Sequence, residues 1–89
     1  MIRAHVIFEG KVQGVYFRAF VKKISDEMGI NGWVKNLSDG NVEAVFEGEK
    51  DIVEKVIERC STEHPRAIVR NTRISWEEPE HIIGFEIKY

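Results

Sequence analysis

The hydrophobic pattern of this 89-residue chain changes period several times, and each change marks an element boundary. In residues 3–10, Ala4, Val6 and Phe8 fall in phase with Arg3, His5 and Glu9 opposite. Ile7 interrupts the polar side, yet period two still fits a half-buried strand. The period lengthens after Gly10-Lys11-Val12-Gln13-Gly14. Phe17, Phe20, Val21, Ile24 and Met28 recur at helical spacing, Lys22, Lys23, Asp26 and Glu27 take the other side, and Gly29 is a natural stop. Residues 30–37 and 42–47 read as two strands, joined by a tight hairpin at Ser38-Asp39-Gly40-Asn41. There Asp-Gly suits the positive φ angles of a two-residue turn. A second helix follows Gly48, with Val53, Val56, Ile57 and Cys60 as its apolar stripe. Asp51 sits at its positive dipole end, and His64-Pro65 ends it. Residues 67–89 read as strand, turn around Pro79, and strand, with Phe85, Ile87 and Tyr89 alternating against Glu86 and Lys88.

The resulting order is β-α-β-β-α-β, with the last strand region open to division in two. It predicts an α+β, ferredoxin-like sandwich: an antiparallel sheet of four to five strands with two helices on one face. No linker, repeat or low-complexity stretch interrupts it, so residues 1–89 are expected to form a single domain. A domain this short buries a modest share of its surface, so consistent patterning must supply its stability.

Composition narrows the possibilities. Thirteen Lys and Arg against 15 Asp and Glu give a formal charge of -2, which argues against broad binding to nucleic acid or to an anionic membrane. One local basic site for a small anion remains compatible with that balance. Cys60 is the only cysteine, so no disulfide forms within the chain, and a reducing cytoplasm is expected. No signal peptide is visible, and the apolar runs fall far short of the roughly 20 residues of a membrane span. A monomer is the default expectation.

The candidate chemistry lies in residues 10–18, between the first strand and the first helix. Such a junction turns several backbone N–H groups toward a common centre with the helix dipole behind them, a natural phosphate nest. Arg18 adds a planar, permanently charged fork. Taken alone, two glycines near a strand end read as an ordinary turn, and an arginine at a helix start as a solvated charge. Neither the Gly-Lys-Ser/Thr phosphate loop nor the three-glycine dinucleotide pattern is present.

The segment Gly10-Lys11-Val12-Gln13-Gly14-Val15-Tyr16-Phe17-Arg18 closely resembles the first signature of the acylphosphatase family. Gly32-Trp33-Val34-Lys35-Asn36, followed by Asp39-Gly40 and Val42-Glu43, resembles the second. The resemblance spans essentially the whole chain, including the closing Gly84-Phe85-Glu86-Ile87. It implies a free-standing hydrolase that splits acyl phosphates into a carboxylate and inorganic phosphate without metal or cofactor. Arg18 and the backbone N–H groups of Gln13, Gly14, Val15, Tyr16, Phe17 and Arg18 would hold the phosphate. Asn36 would orient the attacking water; asparagine is no base at neutral pH, so it works by position. The water proton would pass to the phosphate itself, and no phosphoenzyme is expected. One departure is Leu37, where many relatives carry a small hydroxyl residue. Tyr16 is expected either to shape the pocket mouth or to pack on the first helix.

Other residues attract less chemistry. His5, His64, His81 and Cys60 are scattered without metal-ligand spacing. His5 is expected on the exposed face of the first strand, and Cys60 as a buried core thiol. Trp33 and Trp76 are expected on the sheet face away from the helices, where aromatics bind partners. Three alternatives stand beside the hydrolase. An RNA-recognition module would need base-stacking aromatics and a basic surface. The others are a domain of a larger carbamoyl-transferring maturation protein and a small-ligand regulatory domain, which needs no arginine–asparagine pair.

Overall fold

The computed structural model describes all 89 residues. Its elements are β1 (Ile2–Lys11), α1 (Phe17–Glu27), β2 (Asn31–Asn36), β3 (Val42–Gly48), α2 (Lys50–Thr62), β4 (Ile68–Glu77) and β5 (Phe85–Lys88). The period-two residues Ala4, Val6 and Phe8 are fully buried, together with Val34, Val42, Ala44 and Phe46 from the neighbouring strands. They meet Phe17, Val21 and Ile24 of α1 and Val53, Val56, Ile57 and Cys60 of α2 in one core cluster. Both helices therefore cover the same face of the sheet, as the predicted ferredoxin-like sandwich requires. No helix is long and apolar enough to cross a membrane.

The strands lie in the order β4-β1-β3-β2-β5. β1 pairs antiparallel with both β3 and β4, and β2 pairs antiparallel with β3. The expectation of a wholly antiparallel sheet fails at one edge, because β5 runs parallel to β2. The cause is the route of the chain. β4 ends at the same end of the sheet where β2 begins, and residues 78–84 cross that end to the opposite edge. The fully buried Glu47 carboxylate fixes this crossing by accepting hydrogen bonds from the backbone N–H groups of Glu80 (2.7 Å) and Ile82 (2.9 Å). Arg3 donates to Glu47 (3.1 Å) and to Glu77 (2.9 Å), and lies 3.7 Å from Glu80. Burial works against the charge on Glu47. The amides and the guanidinium outweigh it and hold its carboxyl below the ordinary carboxylate range.

Two local expectations are also corrected. The hairpin between β2 and β3 is a three-residue loop, with Gly40 N–H donating to Leu37 O and Leu37 N–H to Asn41 O. Only Gly40 takes a positive φ (94°), which suits a type I turn completed by a left-handed residue. Trp76 stands opposite Ala4 in the β1–β4 register, and directly opposed residues share a face. It therefore lies on the helix-bearing side at the sheet edge, 5.6 Å from the ammonium of Lys50 at the start of α2. Trp33 does lie on the helix-free face, opposite Val45 and flanked by Lys35 and Lys88. His5 shares that face and hydrogen-bonds Glu43 at 2.6 Å.

Candidate active site

Both ends of the loop after β1 are anchored in the core. Val12 and Phe17 are buried, and the Phe17 ring meets Phe8 edge-on with centroids 5.2 Å apart. Gly10, expected to open the loop, instead belongs to β1 at a shift in register with β4. A Cβ there would fall 2.2 Å from the carbonyl oxygen of Ile68, so only glycine fits the approach. Between the anchors Gly14 (φ 76°) and Tyr16 (φ 61°) both adopt left-handed backbone. Alternation of this kind turns successive N–H groups toward one concave side. For Tyr16 the conformation costs energy, because its side chain crowds the carbonyl.

Tyr16 is the N-cap of α1, and no side chain caps the helix there. The first turn carries no acidic residue either. A helix start leaves several N–H groups without intrahelical partners, and here they remain available to an anion. Arg18 stands in that first turn. One of its guanidinium nitrogens donates to the Lys88 carbonyl (3.3 Å), and its Cζ lies 4.7 Å from the centroid of the Tyr89 ring. Asn36 ends β2 opposite Val42, on the same face as Val34, as the strand alternation predicts.

These groups share a cavity of about 430 Å³ at one end of the sheet. Of the residues expected at the site, Gln13, Gly14, Tyr16, Phe17, Arg18 and Asn36 line it. Val15 does not; its side chain packs toward the core, which leaves its backbone alone as a candidate contact. Tyr16 lines the pocket and is 82% exposed, which places it at the mouth. Val12, Ala19, Ile87 and Tyr89 complete the lining and were not among the expected residues. Tyr89 had a usable signal in its alternation with Phe85 and Ile87. Its place beside Asn36 depends on the parallel pairing of β5, which pairs Lys35 with Lys88 one step earlier.

The Gln13 side chain reaches from the loop to the hairpin, donating to the carbonyls of Leu37 and Asn41, each at 2.8 Å. Cys60 is buried in the core, and burial pushes its thiol up to about 12, far from a reactive thiolate. No three His, Cys, Asp or Glu side chains gather as a metal-binding group. The arrangement offers one permanent cation, a ring of amides and one neutral amide side chain, which suits holding an oxyanion beside a positioned water.

Comparison with known proteins places the chain in a family. The acylphosphatase family model matches residues 4–87. An acylphosphatase from Nostoc sp. is 49% identical over 88 residues, covering 99% of this chain and 87% of that protein. One from Haloarcula marismortui is 47% identical over 87 residues, covering 98% of this chain and 96% of that protein. The crystal structure of acylphosphatase from Bacillus subtilis superposes with a TM-score of 0.96 at 33% identity, covering all of both chains. A match over nearly every residue, and a fold shared end to end, establish that this chain belongs to the acylphosphatase family.

Proposed function

We propose that the chain hydrolyses acyl phosphates by direct attack of water on a phosphoryl group held between Arg18 and the N–H groups of residues 13–18. Asn36 holds the water in line. The oxygen of the water bonds to phosphorus as the bond to the acyl oxygen breaks. The carboxylate leaves with the bonding electrons, and the water protons pass to phosphate oxygens. Inorganic phosphate and a carboxylate are the products. The carboxylate is already a good leaving group, so the task is positioning and stabilising charge on the phosphoryl oxygens.

The observation that supports this most is that Arg18, the uncapped start of α1 and Asn36 line one cavity, although they come from separate elements. A fixed guanidinium and preorganised amides act without reorganising as charge develops. We take residues 1–89 to form one domain around a single core and the enzyme to be monomeric and cytoplasmic, in keeping with its lone, buried cysteine.

Hydrolysis of benzoyl phosphate in the presence of EDTA tests the reading. The parent protein should consume the substrate, and Arg18→Ala should lose about 10²–10³-fold in kcat, as when one oxyanion donor is removed. An inactive parent refutes the reaction class, and an Arg18→Ala variant with near-parent turnover refutes the role of Arg18.

A further inference from the structure

We propose that the Gln13 side chain is a positioning residue that sets Asn36 against the phosphate loop. The inference rests on the reading of Asn36 as the water-holding group. The two halves of the site are each closed within themselves. The loop is anchored by buried Val12 and Phe17, and the hairpin by Leu37 N–H to Asn41 O (2.9 Å) and Gly40 N–H to Leu37 O (3.3 Å). Neither set of bonds fixes one half relative to the other.

Gln13 spans that gap. Its amide nitrogen donates to Leu37 O and Asn41 O, the two carbonyls that also close the hairpin. Each oxygen has a second lone pair, and Gln13 fills both. Only the NH₂ end of the amide can face two acceptors, so the contact also fixes the orientation of the side chain. Leu37 directly follows Asn36, so the clasp acts one peptide away from the water-holding group. Asn36 is the last residue of β2, paired with Val42 just before the hairpin that Gln13 grips.

The arrangement separates two effects. The phosphate-holding groups lie on the loop side of the clasp with Gln13, and Asn36 lies on the hairpin side. Loosening the clasp therefore shifts the water relative to the phosphate while leaving the phosphate site in place. A misplacement on the ångström scale is costly for a reaction that depends on alignment.

Gln13→Leu tests this, because it removes both donors without placing a charge beside the phosphate loop. Gln13→Met, of similar length and without donors or charge, keeps the test readable if the first variant does not fold. Steady-state hydrolysis of benzoyl phosphate is measured with inorganic phosphate as competitive inhibitor, in the parent and in the Asn36→Ala background at high enzyme concentration. Both Gln13 variants should lower kcat by about tenfold or more, while the inhibition constant for phosphate changes by less than about threefold. In the Asn36→Ala background the same substitutions should cost less than about twofold, since their effect passes through Asn36. An equal loss in both backgrounds, a weakened phosphate affinity with kcat unchanged, or no effect would each overturn the proposal. Asn36→Ala with parent turnover would instead refute the reading beneath it, and the clasp with it.

Discussion

The Arg18 guanidinium lies over the ring of Tyr89, its central carbon 4.7 Å from the ring centroid, while one nitrogen bonds the Lys88 carbonyl. Lys88 at the end of β5 and Tyr89 just after it thus hold the Arg18 cation from one side. An arginine side chain has many rotamers, and restricting it before substrate arrives lowers the entropy lost when phosphate binds. At an exposed site a contact of this kind is worth about 0.5–1 kcal/mol. Tyr89→Leu should therefore lower kcat/KM for benzoyl phosphate by about 2–5-fold. Tyr89→Phe keeps the ring and should match the parent in the same assay.

Tyr16 tests whether conformation or side chain matters at the mouth of the nest. Its φ of 61° is unusual for a residue with a side chain, yet the side chain itself is largely in solvent. Asparagine tolerates this region of backbone, whereas a β-branched residue does not. Tyr16→Asn should keep parent turnover within a few-fold. Tyr16→Val should lose about 1–3 kcal/mol of stability and weaken inhibition by phosphate as the N–H groups turn away. Thermal unfolding and phosphate inhibition read the two effects separately.

Glu47 should give the fold a specific sensitivity to acid. Its folded carboxyl titrates below the ordinary value of 4.5, so its contribution is complete above that pH and is lost as pH falls through the folded value. Glu47→Gln leaves Arg3 with weaker partners and should cost about 3 kcal/mol in urea unfolding at neutral pH, as for a broken buried pair. The gap between parent and variant should hold steady above pH 4.5 and narrow below it. A gap independent of pH would show that the charge on Glu47 contributes nothing.

Cys60 is enclosed by the core and its thiol is held protonated at neutral pH. Thiol reagents should leave the native enzyme active and unlabelled at pH 8, and should react quickly once denaturant opens the core. Labelling followed by mass spectrometry, with and without denaturant, reads this directly. Rapid labelling of the native state would mean that α2 opens far more readily than its packing implies.

How much was legible in the sequence depends on the range of the interaction. Ala4, Val6 and Phe8 showed their strand, and Val53, Val56, Ile57 and Cys60 their helix, because periodicity is local and follows from backbone geometry. Two short signatures singled out Arg18 and Asn36 as candidates, and the strand phase of Asn36 gave its face correctly. The direction of β5 was not legible. It depends on where residues 78–84 cross, and that is decided by Glu47 meeting two amides more than thirty residues away. Tyr89 reaches the site for the same reason. Trp76 misled because facing is set by the register with β1 and by the shift at Gly10, which alternation within β4 does not reveal. Gln13 was expected for its amide N–H, but nothing local announced that its side chain would grip the opposite hairpin.

Arg3 near the start of β1 and the loop that follows Lys11 stand at opposite ends of one strand. The ionic cluster that secures the chain crossing therefore lies a full strand length from the proposed anion site. Stability and activity commonly conflict because strain is concentrated where chemistry happens. Here sequence drift around Arg3, Glu77 and Glu80 can shift the melting temperature while Glu47 keeps the crossing, and with it Tyr89, in place. Adaptation to heat or to acid has in this fold a place to act that selection on catalysis does not see.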